Sequence, residues 1–328
     1  MSIAIGCDLG GTNLRAGIVN TETGNVTHLL SIPTIAREGH QAVIERMIGL
    51  IQEVIRQGVI SKSEIEAIGI GVPAVLNPDQ GLVLFMPNLY SGWINVPLGK
   101  IIESSLEIPI YLINDARAIT FGEWNFGAGK GASTLICFTV GTGIGGGLVV
   151  NNKLVMGING TAGELGHTMI DPDGPQCGCG NRGCLEAYAS GPAIAAMGIK
   201  AVKQGRTTLI GEIADYDLNK ITPQLIAKAA NNGDLIARDI YAHAGELIGI
   251  VAVNIALAIG PECIIIGGGV ASAGELLLEP VRRTIQERIF VMPKERIGVV
   301  QAALGDEAGI LGSALWAVNK RNQIHYPG

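Results

Sequence analysis

Three short aliphatic runs open the chain: residues 3–9 (IAIGCDL), 14–19 (LRAGIV) and 26–32 (VTHLLSI), separated by GGTN and NTETGN. β-Branched runs between Gly- and Asn-rich turns predict a three-stranded meander. Over residues 40–57, Val43, Ile44, Met47, Ile48, Ile51, Val54 and Ile55 recur at helical spacing, and Gly58 supplies a stop. A strand at 67–72, a Pro- and Asn-rich loop at 73–97, a helix at 98–106, a strand at 110–113 and a helix at about 116–126 are expected next. The pattern then restarts. Residues 134–140 (TLICFTV) predict a strand, GTGIGGG a turn, and residues 148–150 the start of a returning strand. Residues 233–259 predict a long apolar helix, and 262–266 (ECIII) a buried strand running into GGGV. A helix near 274–288, a strand at 297–302 and a helix at about 307–319 close the chain.

Strand, Gly/Thr turn, strand thus occurs twice, at DLGGTN and at TVGTGIGGG. This weak internal repeat predicts two related α/β lobes facing each other, with no linker between them. A length of 328 residues also favours two domains.

Composition narrows the class. With 48 % hydrophobic and 16 % charged residues and a mean hydropathy of +0.37, the chain predicts a large core rather than disorder. Residues Gly131 to Asn152 carry no charge and are long enough to span a bilayer, but the glycines at their centre make a poor lipid-facing helix. Leu247 to Pro261 is shorter and contains Asn254. One reads as strand–turn–strand and the other as a buried helix, so no membrane partner is expected. The start MSIAIGCDLG has no basic segment and reaches Asp8 too early for a signal peptide, which predicts a soluble cytoplasmic protein. Lys and Arg number 23 against 29 Asp and Glu, giving a net charge of −6 and speaking against nucleic acid as partner.

Aromatics make up only 4 % of the chain, whereas glycines number 47 and need an explanation. Asp8-Leu9-Gly10-Gly11-Thr12-Asn13 ends a strand in a turn whose backbone N–H groups and Thr12 hydroxyl suit an anion, with Asp8 placed for Mg²⁺ directly or through water. A hairpin in which Gly10 and Gly11 merely supply positive φ fits the same residues. Gly141, Thr142, Gly143, Gly145 and Gly146 repeat the device, as if two turns clasped one polyphosphate. This second cluster is neither a P-loop, since no Gly-Lys-Ser/Thr follows, nor a dinucleotide fingerprint, since it joins two strands. A third, with Gly268 and Gly269, lies between strand and helix, where a flat base and ribose could slide against bare backbone.

Cys177, Cys179 and Cys184, with His167 ten residues upstream, form a Cys₃His set suited to tetrahedral structural Zn²⁺. Cysteines one residue apart rarely satisfy disulfide geometry. Asn114-Asp115 ends an aliphatic strand, where Asp115 suits a general base taking a proton from an alcohol; a helix N-cap would also explain it. Glu164 and Glu186 bracket the cysteine loop, and Asn88 lies in MPNLYSGW.

DLGGTNLRAG, IGIGVPA, PNLYSGW, INDARAITFGE, GTGIGGGL, GELGH, CGCGNRGCLE and IIIGGGV occur in the order found in ROK-family sugar kinases, which the chain resembles over nearly its whole length. The resemblance implies a duplicated ribonuclease-H-like (actin-like) two-lobed fold with a cleft between lobes. The smaller lobe would hold residues 1–117 plus about 307–328, and the larger 118–306. ATP and Mg²⁺ are implied as cofactors, and a homodimer as the assembly, with a tetramer left open. Asp115 is implied as base on a sugar's primary hydroxyl, with Asn88, Asn114, Glu164, His167 and Glu186 holding the others. The same resemblance makes His167, Cys177, Cys179 and Cys184 zinc ligands. Glucose is the expected substrate; N-acetylmannosamine, N-acetylglucosamine, fructose and allose stay open, as do a nucleotide-driven switch and a sugar-sensing regulator. Ala74 stands where the family usually has Gly.

Overall fold

The computed structural model describes residues 2–86, Leu89 and residues 92–325, the side chains of residues 324 and 325 excepted. The chain divides into two compact units, residues 1–131, 154–162 and 303–328, and residues 132–153 and 163–302.

The strands of the first unit are β1 (Ile3–Leu9), β2 (Asn13–Asn20), β3 (Asn25–Pro33), β4 (Ile65–Val72), β5 (Val75–Asn77), β6 (Leu82–Phe85), β7 (Ile94–Val96) and β8 (Ile110–Asn114). Five of them form a sheet ordered β3-β2-β1-β4-β8. The meander β1–β3 is antiparallel, and β4 and β8 run parallel to β1. Helix His40–Gly58 buries Val43, Ile44, Met47, Leu50, Ile51 and Val54 and packs on β2 and β3. The segment 73–97, expected as loop, contains the small antiparallel sheet β5-β6-β7. Strands of three or four residues are too short to show an alternation.

Two glycines bring the C-terminal helix Ala308–His325 down onto the main sheet. Gly6 and Gly69 are neighbours on β1 and β4. A Cβ on Gly6 would lie 1.9 Å from the Ile310 carbonyl oxygen, and one on Gly69 1.8 Å from that of Ser313. Helix Asp115–Phe126 crosses the same C-terminal helix equally closely, since a Cβ on Gly312 would fall 1.7 Å from the Ala118 carbonyl oxygen. This packing moves the unit boundary. An end after residue 117 would cut the helix in two; instead the whole helix goes with the first unit, which continues to Gly131 and takes back residues 154–162. The two units are therefore nearly equal in length rather than small and large.

The second unit has β9 (Leu135–Val140), β10 (Ile144–Val150), β11 (Lys153–Leu154), β12 (Cys263–Gly267) and β13 (Gly298–Gln301), ordered β11-β10-β9-β12-β13. β10 is antiparallel to β9, β12 is parallel to β9, and β13 is parallel to β12. This repeats the order of the first sheet, so the internal repeat read from two turns extends to whole sheets. β10 starts at Ile144, not at 148, because Gly145, Gly146 and Gly147 pair with Thr139, Phe138 and Cys137. Without side chains those residues leave no alternation to read. Helix Leu235–Ile259 is long and apolar enough to cross a membrane by composition. Here Ile240, Tyr241, Ala244, Ile248, Val251 and Ala252 are buried in the core of the unit. Glycine again permits a close crossing: a Cβ on Gly249 would lie 2.6 Å from Thr284 Cβ on helix Glu275–Arg288.

Candidate active site and metal centre

In open α/β sheets the carboxyl ends of parallel strands are where ligands bind. Asp8 lies near that end of β1, and Asn114 and Asp115 lie at that end of β8. A Cβ on Gly71 of β4 would lie 3.6 Å from Asp8 Oδ1 and 3.7 Å from the Asp115 Cα, so both acids flank the same bare backbone. Asn114 is the N-cap of helix Asp115–Phe126: its side-chain oxygen accepts from Ala116 N–H at 3.0 Å and Arg117 N–H at 3.4 Å. Asp115 is the first helical residue, and its Oδ1 also accepts from Ala116 N–H at 2.8 Å. Asn114 Nδ2 donates to the Ala74 carbonyl at 3.5 Å, so the residue that departs from the family pattern touches this corner through its backbone.

Burial first, and then the neighbouring Asp115, push the Asp8 carboxyl up to about 7; Arg15 pulls it down and Asp306 adds to the rise. Arg15 is itself engaged by Asp306 at 2.9 Å. Asp8 and Asp115 stand together, and the arginine that acts on Asp8 is paired with Asp306, which leaves the corner short of positive charge and is the electrostatic setting of a divalent-cation site.

The first glycine turn, residues 10–13, closes through Gly10 N–H on the Asn13 carbonyl at 2.9 Å. Neither Gly10 nor Gly11 has a positive φ. Nothing lies within 4 Å of a Cβ built on Gly11, and Gly11 and Thr12 are exposed. Turn geometry and packing therefore give Gly11 no reason to be glycine; close approach of a ligand to the backbone would. The turn has an anchor that the sequence did not announce. Thr34 is fully buried; its hydroxyl donates to the Gly10 carbonyl at 2.7 Å and its N–H to that of Thr12 at 2.8 Å. Arg46 Nη1 in turn donates to the Thr34 carbonyl at 2.9 Å and pairs with Glu38. A lone threonine after a strand carries no motif.

The second turn, residues 141–143, closes through Gly141 N–H on the Gly143 carbonyl at 2.9 Å. Gly141 is again open with ordinary φ, and Thr142 is exposed. The Gly141 carbonyl accepts from Gly191 N–H at 2.8 Å, which sets the turn at the start of helix Gly191–Lys203. The rest of the run has other duties. Gly145 is a strand residue, and a Cβ on Gly146 would strike Leu165 Cδ1 at 2.5 Å. Gly268 has φ +86° and a Cβ there would lie 2.4 Å from the Val140 carbonyl oxygen, so its backbone alone requires glycine. Beside Gly269 only the tip of Gln224 comes within 4.0 Å.

The 3₁₀ turn Leu165–His167 seats against β10, where a Cβ on Gly166 would lie 2.0 Å from the Ile144 carbonyl oxygen. It presents His167 to the cysteine loop. The ligand atoms of His167, Cys177, Cys179 and Cys184 all lie within 4.8 Å of one another. His167 Nδ1 is 3.6 Å from Cys177 Sγ, and the sulfurs of Cys179 and Cys184 are 3.8 Å apart. Zn–S and Zn–N bonds of about 2.3 and 2.0 Å give tetrahedral edges of roughly 3.5–3.8 Å, so the donor set fits zinc. The sulfur separation is far too long for a disulfide, and the three thiols are unpaired cysteines. Burial pushes Cys184 well above the ordinary thiol range.

Glu186 opens the short helix Glu186–Ala189, and its carboxylate reaches the second turn, with Oε2 accepting from Ile144 N–H at 2.8 Å. Glu164 precedes the 3₁₀ turn and is exposed. Asn88 lies outside the described residues. The first unit thus gathers Asp8, Asn114, Asp115 and the turn 10–13. The second gathers the turn 141–143 and, around β10, Glu164, His167, Glu186 and the cysteines.

Paired sheets of one order, each with a glycine turn after its first long strand, define the duplicated ribonuclease-H-like, actin-like fold of sugar kinases. The chain belongs to the ROK family, whose profile matches residues 4–320. It is 35 % identical over 323 residues to a glucokinase of Streptomyces coelicolor, covering 96 % of this chain and 97 % of the relative. It is 30 % identical over 315 residues to an N-acetylmannosamine kinase of Escherichia fergusonii, covering 96 % and 98 %. Among solved structures, a ROK-family glucokinase from Streptomyces griseus in complex with glucose and AMPPNP superposes with a TM-score of 0.84 at 32 % identity, covering 97 % of this chain and 100 % of that one.

Proposed function

We propose that the chain is an ATP:hexose phosphotransferase that converts glucose to glucose 6-phosphate. The observation that carries this reading is the Asp8–Asp115 pair beside Gly71, at the carboxyl ends of parallel strands and next to a turn with an unexplained open glycine. Asp115 takes the proton of the primary 6-hydroxyl as that oxygen attacks the γ-phosphorus. The bond from γ-phosphorus to the bridging oxygen breaks, and ADP carries the electron pair away. Backbone N–H groups of residues 10–13 and 141–143 hold the phosphates, and the backbone at Gly268 and Gly269 lies against the nucleoside. Asp8 would hold Mg²⁺, directly or through water; when bound, this ion neutralises triphosphate charge.

Asn88, Asn114, Glu164, His167 and Glu186 hold the remaining hydroxyls. With His167 Nδ1 turned to Cys177, Nε2 is the nitrogen left for a sugar. His167, Cys177, Cys179 and Cys184 would hold Zn²⁺, which when bound braces the loop and fixes the imidazole tautomer without entering the reaction. A cytoplasmic homodimer belongs to the same proposal.

A coupled assay of ADP release across hexoses and N-acetylhexosamines tests it. Glucose should give the highest kcat/KM. A clear preference for N-acetylmannosamine would favour a second reading, supported by the 30 % identical kinase of that sugar. If no sugar raises ADP release, the kinase reading is wrong and a nucleotide switch or sugar-sensing regulator replaces it.

A further inference from the structure

Glu186 touches two devices at once. Its Oε2 accepts from Ile144 N–H at 2.8 Å, directly after the second glycine turn, and its Oε1 lies 3.7 Å from Cys177 Sγ in the cysteine loop. The neighbouring glycine is shaped around it. A Cβ on Gly143 would lie 2.4 Å from Glu186 Oε2 and 3.3 Å from its Cδ, whereas the φ of Gly143 is ordinary. Gly143 is therefore glycine because a carboxylate occupies the place of its side chain. Gly141, two residues earlier in the same turn, has nothing within 4 Å of its Cβ position. The two glycines of one turn thus differ in what stands beside them.

We infer that Glu186 is a positioning residue that couples sugar occupancy to the geometry of the nucleotide turn at residues 141–143. The inference rests on the proposed sugar-holding role of Glu186. A carboxylate offers about four acceptor positions, so it can take a sugar hydroxyl while keeping the Ile144 amide. Sugar fixes the Glu186 rotamer, the rotamer fixes the Ile144 amide, and the turn is ordered before nucleotide arrives. Such coupling is reciprocal: nucleotide must tighten sugar by the same factor.

Glucose affinity measured by calorimetry without nucleotide separates the possibilities. Gly143→Ala pushes the carboxylate aside and should weaken glucose binding about tenfold, in line with the loss of a hydrogen bond to a charged group. Gly141→Ala, in the same turn, should leave glucose affinity unchanged. Metal content measured on each variant distinguishes a displaced carboxylate from a collapsed cysteine loop. If Gly143→Ala keeps wild-type glucose affinity while Glu186→Ala loses it, the coupling is wrong but the sugar role stands. If Glu186→Ala also keeps it, the sugar role falls and the coupling with it. Should Gly143→Ala not fold, amide exchange on the wild-type protein decides. Glucose alone should slow exchange at Ile144, and Glu186→Ala should abolish the response. No slowing in the wild type overturns the inference.

Discussion

The two main sheets share a strand order but carry different chemistry at matching places. One residue before the end of β1 stands Asp8; one residue before the end of β9 stands Thr139. β8 runs into Asp115, whereas β13 ends at Gln301 and is followed by Ala302. The first unit therefore holds an acid pair, and the second holds no carboxylate at either place. In the proposed reaction a single base suffices for one proton, so a second acid pair would have no task. The second copy uses its glycines for close packing, with Gly146 under Leu165 and Gly166 on Ile144, and seats the turn that carries His167 on β10. Duplication has preserved the scaffold while the side chains at equivalent strand ends diverged.

The largest effect is expected where the second unit lacks an extended core. The cysteine loop is held by isolated bridges and turns rather than by a sheet. If the loop holds the proposed zinc, elemental analysis should find about one per chain, and Cys184→Ser should take it to near none and lower the melting temperature by roughly 10 °C, corresponding to several kcal/mol. An unchanged metal content would remove zinc from the comparison.

The first unit has its own brace in Glu123, fully buried on the helix that starts at Asp115. It accepts from the backbone N–H groups of Ala128 (2.8 Å), Ala303 (3.0 Å) and Leu304 (2.8 Å), tying the returning chain to that helix. Glu123→Ala should cost about 3 kcal/mol in denaturant unfolding by leaving buried donors unmet, with zinc content unaffected.

A smaller effect belongs to Asp8. Its carboxyl is raised from 3.8 to about 7 in the folded chain, so folding binds a proton between those values. This contribution to stability is complete below pH about 4 and is lost as pH rises through about 7. Between pH 5 and 7 it amounts to about 2 kcal/mol. Asp8→Asn should flatten that part of the stability–pH curve of the metal-free protein, as should added Mg²⁺; the equivalent change at Thr139 should not.

The smallest effect is the most selective. Gly11→Ala and Gly141→Ala meet open space at ordinary φ, so melting should barely change. If each turn holds phosphate, each change should raise the KM for ATP about tenfold, or about 1.4 kcal/mol. An effect from only one turn would show that only one unit grips the nucleotide.

Much of this was legible in the sequence where side chains alternate or ligands cluster. The meander, helix 40–58, helix 98–106 and the Cys₃His set were readable because β-branched runs, helical spacing and cysteine separations are local signals. What escaped depends on distant partners. The strand through Gly145–Gly147 has no side chains to alternate, and β5–β7 are too short to do so. The unit boundary at Gly131 follows from a helix crossing at Gly122 and Gly312, nearly two hundred residues apart. The bracing of the first turn by Thr34 and Arg46, and of the second by Glu186, uses residues that form no motif with the turns they hold.

The proposed base is the feature that most separates the two units, and Asp115→Asn tests it directly. Asparagine keeps the shape and the helix start, which Asn114 caps. Single-turnover phosphoryl transfer should fall by a factor of about 10²–10⁴, while calorimetry shows glucose binding unchanged. Transfer at close to the wild-type rate would contradict the assignment of the chemistry to the first unit.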